Sequence, residues 1–143
     1  MGASVARRRT YDLSVPWWGA DGPGGDHRTP TFIVSHGEPE QVAEGSVYTF
    51  VRSPIEALRR AKEAAGEKDV DIFSANIGRQ LLQAGLIDEI RVHLAPVLFG
   101  AGTRLFGDAE GMPVQLRLIA VESGTGVTHL RYAVIRDGAA PKG

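Results

Sequence analysis

The stretch from Asp69 to Phe106, DVDIFSANIGRQLLQAGLIDEIRVHLAPVLFGAGTRLF, constrains the fold more than any other part of the chain. Val70, Ile72 and Phe73 form a short apolar run that ends at Ser74. Ser74 and Asn76 are residue types that open helices, because their side-chain oxygens accept hydrogen bonds from the orphan amides of a first turn. Ile77, Leu81, Leu82 and Ala84 then recur at helical spacing, and Gly85 stands where a left-handed residue stops a helix. Ile90, Val92 and Leu94 alternate with Arg91, His93 and Ala95, the period-2 pattern of a strand, until Pro96 removes a ladder donor. The pattern predicts a βαβ unit, with two parallel strands joined by a helix.

Such a crossover leaves the start of its helix at the carboxyl edge of the sheet. Free amides and the positive end of the helix dipole meet there, so positions 74 to 78 have the makings of an anion cradle. Most turns of this kind bind nothing, and the geometry alone does not decide between the two.

At 143 residues the chain is expected to form a single domain over residues 1–136 with one core. Apolar residues at 43% and charged residues at 23% exclude a disordered chain. A net charge of −1 gives no electrostatic case for nucleic acid or an anionic membrane. The absence of cysteine removes disulfides, thiolate chemistry and cysteine metal sites. The N-terminus carries arginines without an apolar h-region, so a cytoplasmic location is expected.

Met1 to Asp12 offers a few small or apolar residues and then Arg7, Arg8 and Arg9. These read either as a solvated basic patch or as a phosphate clamp, with Thr10 adding a hydroxyl. Trp17 and Trp18 read as the packed lid of a core edge. They precede GADGPGGDHRTP, whose glycines, prolines and aspartates mark a loop. Strands are expected near 31 to 35, ending in Ser35, His36 and Gly37, and near 47 to 51. Ser53-Pro54 opens a helix whose stripe is Ile55, Leu58, Ala61, Lys62 and Ala65, closed by Gly66. Gly100-Ala101-Gly102 lacks the helical run and third glycine of a dinucleotide fingerprint and reads as a turn. Leu116 to Val121 and Val127 to Ile135 form an antiparallel hairpin, and 137–143 is a polar tail expected to be disordered. His27, His36, His93 and His129 are widely separated in sequence with no ligand spacing, so no metal site is expected.

With RRTYD at 8–12, TPTFIVSH at 29–36, ANIGRQLLQAGLIDEIRVHLAPVLFGAGTRLF at 75–106 and GVTHLRY at 126–132, the chain resembles the dihydrofolate reductase-like family. More narrowly, it resembles the C-terminal reductase domain of bacterial riboflavin biosynthesis proteins. The resemblance implies a three-layer α/β fold, a mixed and mainly parallel sheet with flanking helices and a C-terminal antiparallel hairpin. It also implies an NADPH site across the carboxyl ends of the strands and a homodimer.

Carried onto matching positions, the cofactor phosphates would meet Arg8, Arg9 and Thr10. Ser35 with His36 would hold the adenosine phosphate. Ser74, Ala75, Asn76, Ile77 and Gly78 would form the pyrophosphate turn. Arg7 stands at the motif glycine, a strained place if positive φ is required there, and Ser74 replaces the turn glycine. The family also begins with an upstream strand that is not among these residues. The expectation is therefore an N-terminally truncated domain, with edges open at Asp69 to Phe73 and at Glu89 to Leu98. The implied activity is NADPH-dependent reduction of a small heterocyclic or ribosyl-pyrimidine-like substrate, as in 5-amino-6-(5-phosphoribosylamino)uracil reductase. The other reading is a catalytically degenerate nucleotide-binding or regulatory module. Asp88 and Glu89 are assigned to solvent, and no residue stands out as a proton donor.

Overall fold

The computed structural model describes residues 1–106 and 113–136. The tail expected to be disordered, 137–143, lies outside the described residues. The chain forms two compact units, Met1–Gln80 and Leu81–Gly143.

The first unit is built on a parallel sheet. Its strands are β1 (Ala3–Arg7), β2 (Thr31–Val34), β3 (Tyr48–Val51) and β4 (Val70–Phe73), in the order β3-β2-β1-β4. Helix α1 (Arg8–Trp18) follows β1, α2 (Pro54–Ala65) joins β3 to β4, and α3 (Ala75–Gln83) follows β4. The chain therefore steps outward from β1 to β3, and α2 carries it back across the sheet to the far side of β1.

The sequence pattern assigns no strand to Ala3–Arg7, yet it is an interior strand, paired with both β2 and β4. Its residues Ala3, Ser4, Val5 and Ala6 are fully buried on both faces, which removes the alternation that marks a half-solvated strand. On one face Ala6 and Ile33 pack with Tyr11 of α1 and with Tyr48, and Val15, Trp18, Val47 and Phe50 surround them. Phe32 points the other way, with the Arg60 guanidinium of α2 5.7 Å from its ring centroid. Helices thus cover both faces of the sheet, and the mixed α/β class with flanking helices is as expected.

Local signals explain the helix ends. Ser53 Oγ accepts from the Glu56 amide at 3.4 Å, and Pro54 begins α2, where its missing N–H costs nothing. Gly66 ends α2 at φ 61° and Gly85 lies just past α3 at φ 72°, backbone shapes that favour glycine. Helix α1 was not expected, because Pro16 lies inside it and the tryptophans close it against a glycine-rich segment. That segment is irregular apart from short 3-10 turns at Gly19–Asp21 and Gly25–His27. Trp18 does pack at a core edge, 6.1 Å from the Phe73 ring, whereas Trp17 is exposed.

The second unit holds an antiparallel sheet of β5 (Glu89–Leu94), β6 (Leu116–Ser123) and β7 (Thr128–Val134), in the order β5-β7-β6. The β6–β7 hairpin is the expected one, with an irregularity between Leu118 and Ala120. The expected parallel pairing of 70–73 with 90–94 is not found: β4 pairs with β1, and β5 pairs antiparallel with β7. Periodicity identified both strands, but it carries no information about partners so distant in sequence. Strand β4 ends its sheet and β5 ends the other, so each has a partner on one side.

The β5–β7 register also sets His93 opposite His129, with their Nδ1 atoms 2.6 Å apart. The histidines are thus not all isolated. Among the described residues no third ligand-type side chain completes a metal-binding group. The unit contains an apolar cavity of about 300 Å³ lined by Leu82, Ile90, Val92, Leu116, Tyr132 and neighbours.

Candidate functional site

Because β1 to β4 are all parallel, their carboxyl ends lie along one edge of the sheet. The order of connection reverses between β1 and β4, and a crevice is expected at such a point. The starts of α1, directly after β1, and of α3, after β4, stand on that edge. The turn after β2 lies beside them. These are the places of the sequence-predicted residues Arg8, Arg9, Thr10, Ser35, His36 and Ser74 to Gly78.

Arg8 and Ser35 are brought together. Arg8 Nη1 donates to Ser35 Oγ at 3.2 Å and to the Gly37 carbonyl at 2.9 Å, and Nε donates to Asp12 Oδ1 at 2.8 Å. Nη2 makes no hydrogen bond among the described residues. Ser35 is buried and fastens its own turn, donating to the Gly37 carbonyl at 2.5 Å and accepting from the Gly37 amide at 3.3 Å. A guanidinium held by three hydrogen bonds has lost most of its rotamer freedom before any ligand arrives.

Arg7, at the place of the motif glycine, has φ −87° and ψ 154°. This is ordinary extended backbone, so the strain considered for a positive φ does not arise. No side chain caps α1, which leaves the amides of its first turn, at Arg8, Arg9 and Thr10, directed at the edge. Arg9 is exposed and makes no hydrogen bond among the described residues, so of the two arginines only Arg8 joins Ser35. His36 is exposed as well, and Thr10 is half-buried.

At α3 the serine acts as a cap. Ser74 Oγ accepts from the Ile77 amide at 3.3 Å, while the Ser74 carbonyl accepts from Gly78 N at 2.9 Å. Ile77 is a core anchor with 1% exposure. Its amide is committed to Ser74, so the donors left for a ligand are those of Ala75 and Asn76. Asn76 Oδ1 is held by Gln80 Nε2 at 2.7 Å. A Cβ built on Gly78 would meet nothing within 4 Å, so that glycine is not there for internal packing.

Asp12 and Gly37 are the partners that sequence reading missed. Asp12 stands one helical turn after Arg8, a spacing that would have revealed it had α1 been recognised. Behind the edge, Tyr11 and Tyr48 meet edge-on with centroids 4.9 Å apart. Burial first, then Asp12, raises the Tyr11 pKa, against a lowering by Arg8. In the second unit Asp88 pairs with Arg136 at 2.6 Å, and Glu89 with Arg131 at 2.8 Å. The hydrogen bond from Arg131 is the largest influence holding the Glu89 carboxyl below its ordinary range. Both acids are surface ion-pair partners, in keeping with their assignment to solvent.

The family model for the RibD C-terminal domain matches residues 1–130. No curated protein matches the sequence. A protein assigned to riboflavin biosynthesis in Shewanella sp. PV-4 shares 25% identity, with a TM-score of 0.74 over 94% of this chain and 75% of that one. A pyrimidine reductase-like protein from Corynebacterium diphtheriae shares 17%, with a TM-score of 0.65 over 95% and 77% of the respective chains. The riboflavin biosynthesis reductase of Saccharomyces cerevisiae shares 14%, with a TM-score of 0.60 over 94% and 75%. The last two likenesses establish shared fold. Taken with the sheet described above, the match over residues 1–130 decides the assignment: the chain belongs to the RibD C-terminal domain family.

Proposed function

We propose that this chain is a riboflavin-pathway reductase that uses NADPH and acts on a ribosyl-pyrimidine-like heterocycle. The observation that carries the reading is the grouping of Arg8, Ser35 and the starts of α1 and α3 on the carboxyl edge of one parallel sheet. The residues fit a phosphate-bearing dinucleotide. Arg8 keeps Nη2 for an incoming oxygen, α1 has an uncapped first turn, and Gly78 leaves open space beside the start of α3.

When bound, NADPH supplies the hydride, and the protein's share is binding and orientation. In this reading Arg8 takes the adenosine phosphate, with Ser35 holding the guanidinium in place. The amides at the two helix starts take the pyrophosphate. The reading extends to a homodimer in the cytoplasm. Exposed Leu94, Val97, Leu98 and Phe99 in the second unit are apolar surface of the kind that association covers.

Fluorescence titration with NADPH and NADH tests the proposal. The expected result is saturable binding of NADPH, with Arg8→Ala costing a few kcal/mol. Equal affinity for both cofactors, or binding of neither, would sink it.

A further inference from the structure

Arg8 does not meet the solvent as a bare cation. Its Nε is bonded to Asp12 Oδ1 at 2.8 Å, and the pair lies one turn apart on α1 with both side chains partly exposed. The other anchors are neutral: Ser35 Oγ and the Gly37 carbonyl, both on Nη1. One atom of the guanidinium thus serves position, one serves charge neutralisation, and Nη2 remains for a ligand.

From this division we propose that Asp12 is a specificity-determining residue that sets how strongly Arg8 holds a phosphomonoester. It does so by offsetting the guanidinium charge and occupying an edge that a bidentate phosphate would use. The proposal rests on the reading of Arg8 as a phosphate ligand and names the residue that tunes it. The class of ligand is a nucleotide carrying a terminal phosphate on its ribose, and the discrimination affected is that between NADPH and NADH.

The sign of the effect follows from the geometry. If Asp12 loses its charge, Ser35 and Gly37 still hold Nη1, so Arg8 keeps its orientation. What disappears is the anion that repels an incoming phosphate and competes for Nε. Because the pair is partly exposed, the gain is that of a screened surface interaction, about two- to fivefold in affinity at moderate salt.

The test is calorimetric titration of adenosine 2′-monophosphate, NADPH and NADH into the wild type, Asp12→Asn and the charge-preserving Asp12→Glu. The Arg8 Nε–H resonance is followed in parallel by NMR, and circular dichroism confirms that each variant is folded. Asp12→Asn is expected to bind adenosine 2′-monophosphate and NADPH about two- to fivefold more tightly. Its affinity for NADH should not change, and Asp12→Glu should behave as the wild type. A folded Asp12→Asn protein with unchanged or weaker affinity for adenosine 2′-monophosphate overturns the proposal, as does an equal gain for NADH. A wild type that prefers NADPH, beside an unresponsive Asp12→Asn, overturns the role of Asp12 and leaves the reductase reading intact. Tighter adenosine 2′-monophosphate binding by Asp12→Asn, with no cofactor binding by either protein, supports the role of Asp12 and removes the reductase reading.

Discussion

The hydroxyls of Ser4 and Thr31 meet 2.9 Å apart between β1 and β2, and both residues are fully buried. Thr31 Oγ1 also lies 3.0 Å from the Thr29 carbonyl, to which it donates. The strand whose end delivers Arg8 is therefore tied to the strand whose end delivers Ser35 by a polar pair inside the core.

That pair makes an asymmetric prediction. Thr31→Val strands the Ser4 hydroxyl in the core and should cost about 1–3 kcal/mol. Ser4→Ala leaves Thr31 its bond to Thr29 and should cost nearer the lower end of that range. The double variant should cost no more than Thr31→Val alone, since it leaves no hydroxyl without a partner. Urea denaturation of the four proteins checks this, and simple additivity would show that the hydroxyls are not coupled.

Tyr48 gives the fold a dependence on alkaline pH. Its hydroxyl donates to the Gly19 carbonyl at 2.7 Å, and burial first, then Tyr11 and Asp21, pushes its pKa up to about 12. The folded state thus holds this proton more tightly than the unfolded chain, whose tyrosine has the ordinary value of 10.0. The contribution is complete below pH 10 and is lost as pH rises through about 12. Tyr48→Phe should therefore flatten the loss of stability across that window, measured as denaturation midpoint against pH. An unchanged slope would contradict the assignment.

Gly78 separates folding from binding. In the body of α3 an alanine is favoured over glycine by about 1 kcal/mol, and the added Cβ has nothing within 4 Å to strike. Gly78→Ala should raise the thermal midpoint and, on the proposed reading, weaken NADPH binding, because the methyl would intrude where a cofactor phosphate is proposed to approach the helix start. A stabilised variant with unchanged affinity would place the cofactor away from α3.

How much of this was legible in the sequence depended on whether a feature was local. Helices α2 and α3 announced themselves through Ser53-Pro54, Ser74, Gly66 and Gly85, each of which acts within one turn. Strand β1 did not, because Ala3 to Ala6 are buried on both faces and show no alternation. Helix α1 was hidden by Pro16, and with it went the Arg8–Asp12 pair, although Arg8 and Ser35 had been named. Pairings between distant residues, β4 with β1, β5 with β7 and His93 with His129, depend on topology that no local pattern encodes. Ser74 read both as a helix-opening residue and, through the resemblance, as a replacement of the turn glycine, and the structure shows it capping Ile77.

The central claim is that the carboxyl edge of the parallel sheet is a dinucleotide site. Backbone amide NMR of the full chain, recorded as NADPH is added, tests it most directly. The account predicts saturable shifts concentrated at Arg8 to Thr10, Ser35 to Gly37 and Ser74 to Gly78, with the Arg8 Nε–H resonance moving alongside them. Shifts confined to the β5-β7-β6 sheet, or none at NADPH concentrations that saturate other reductases, would contradict it.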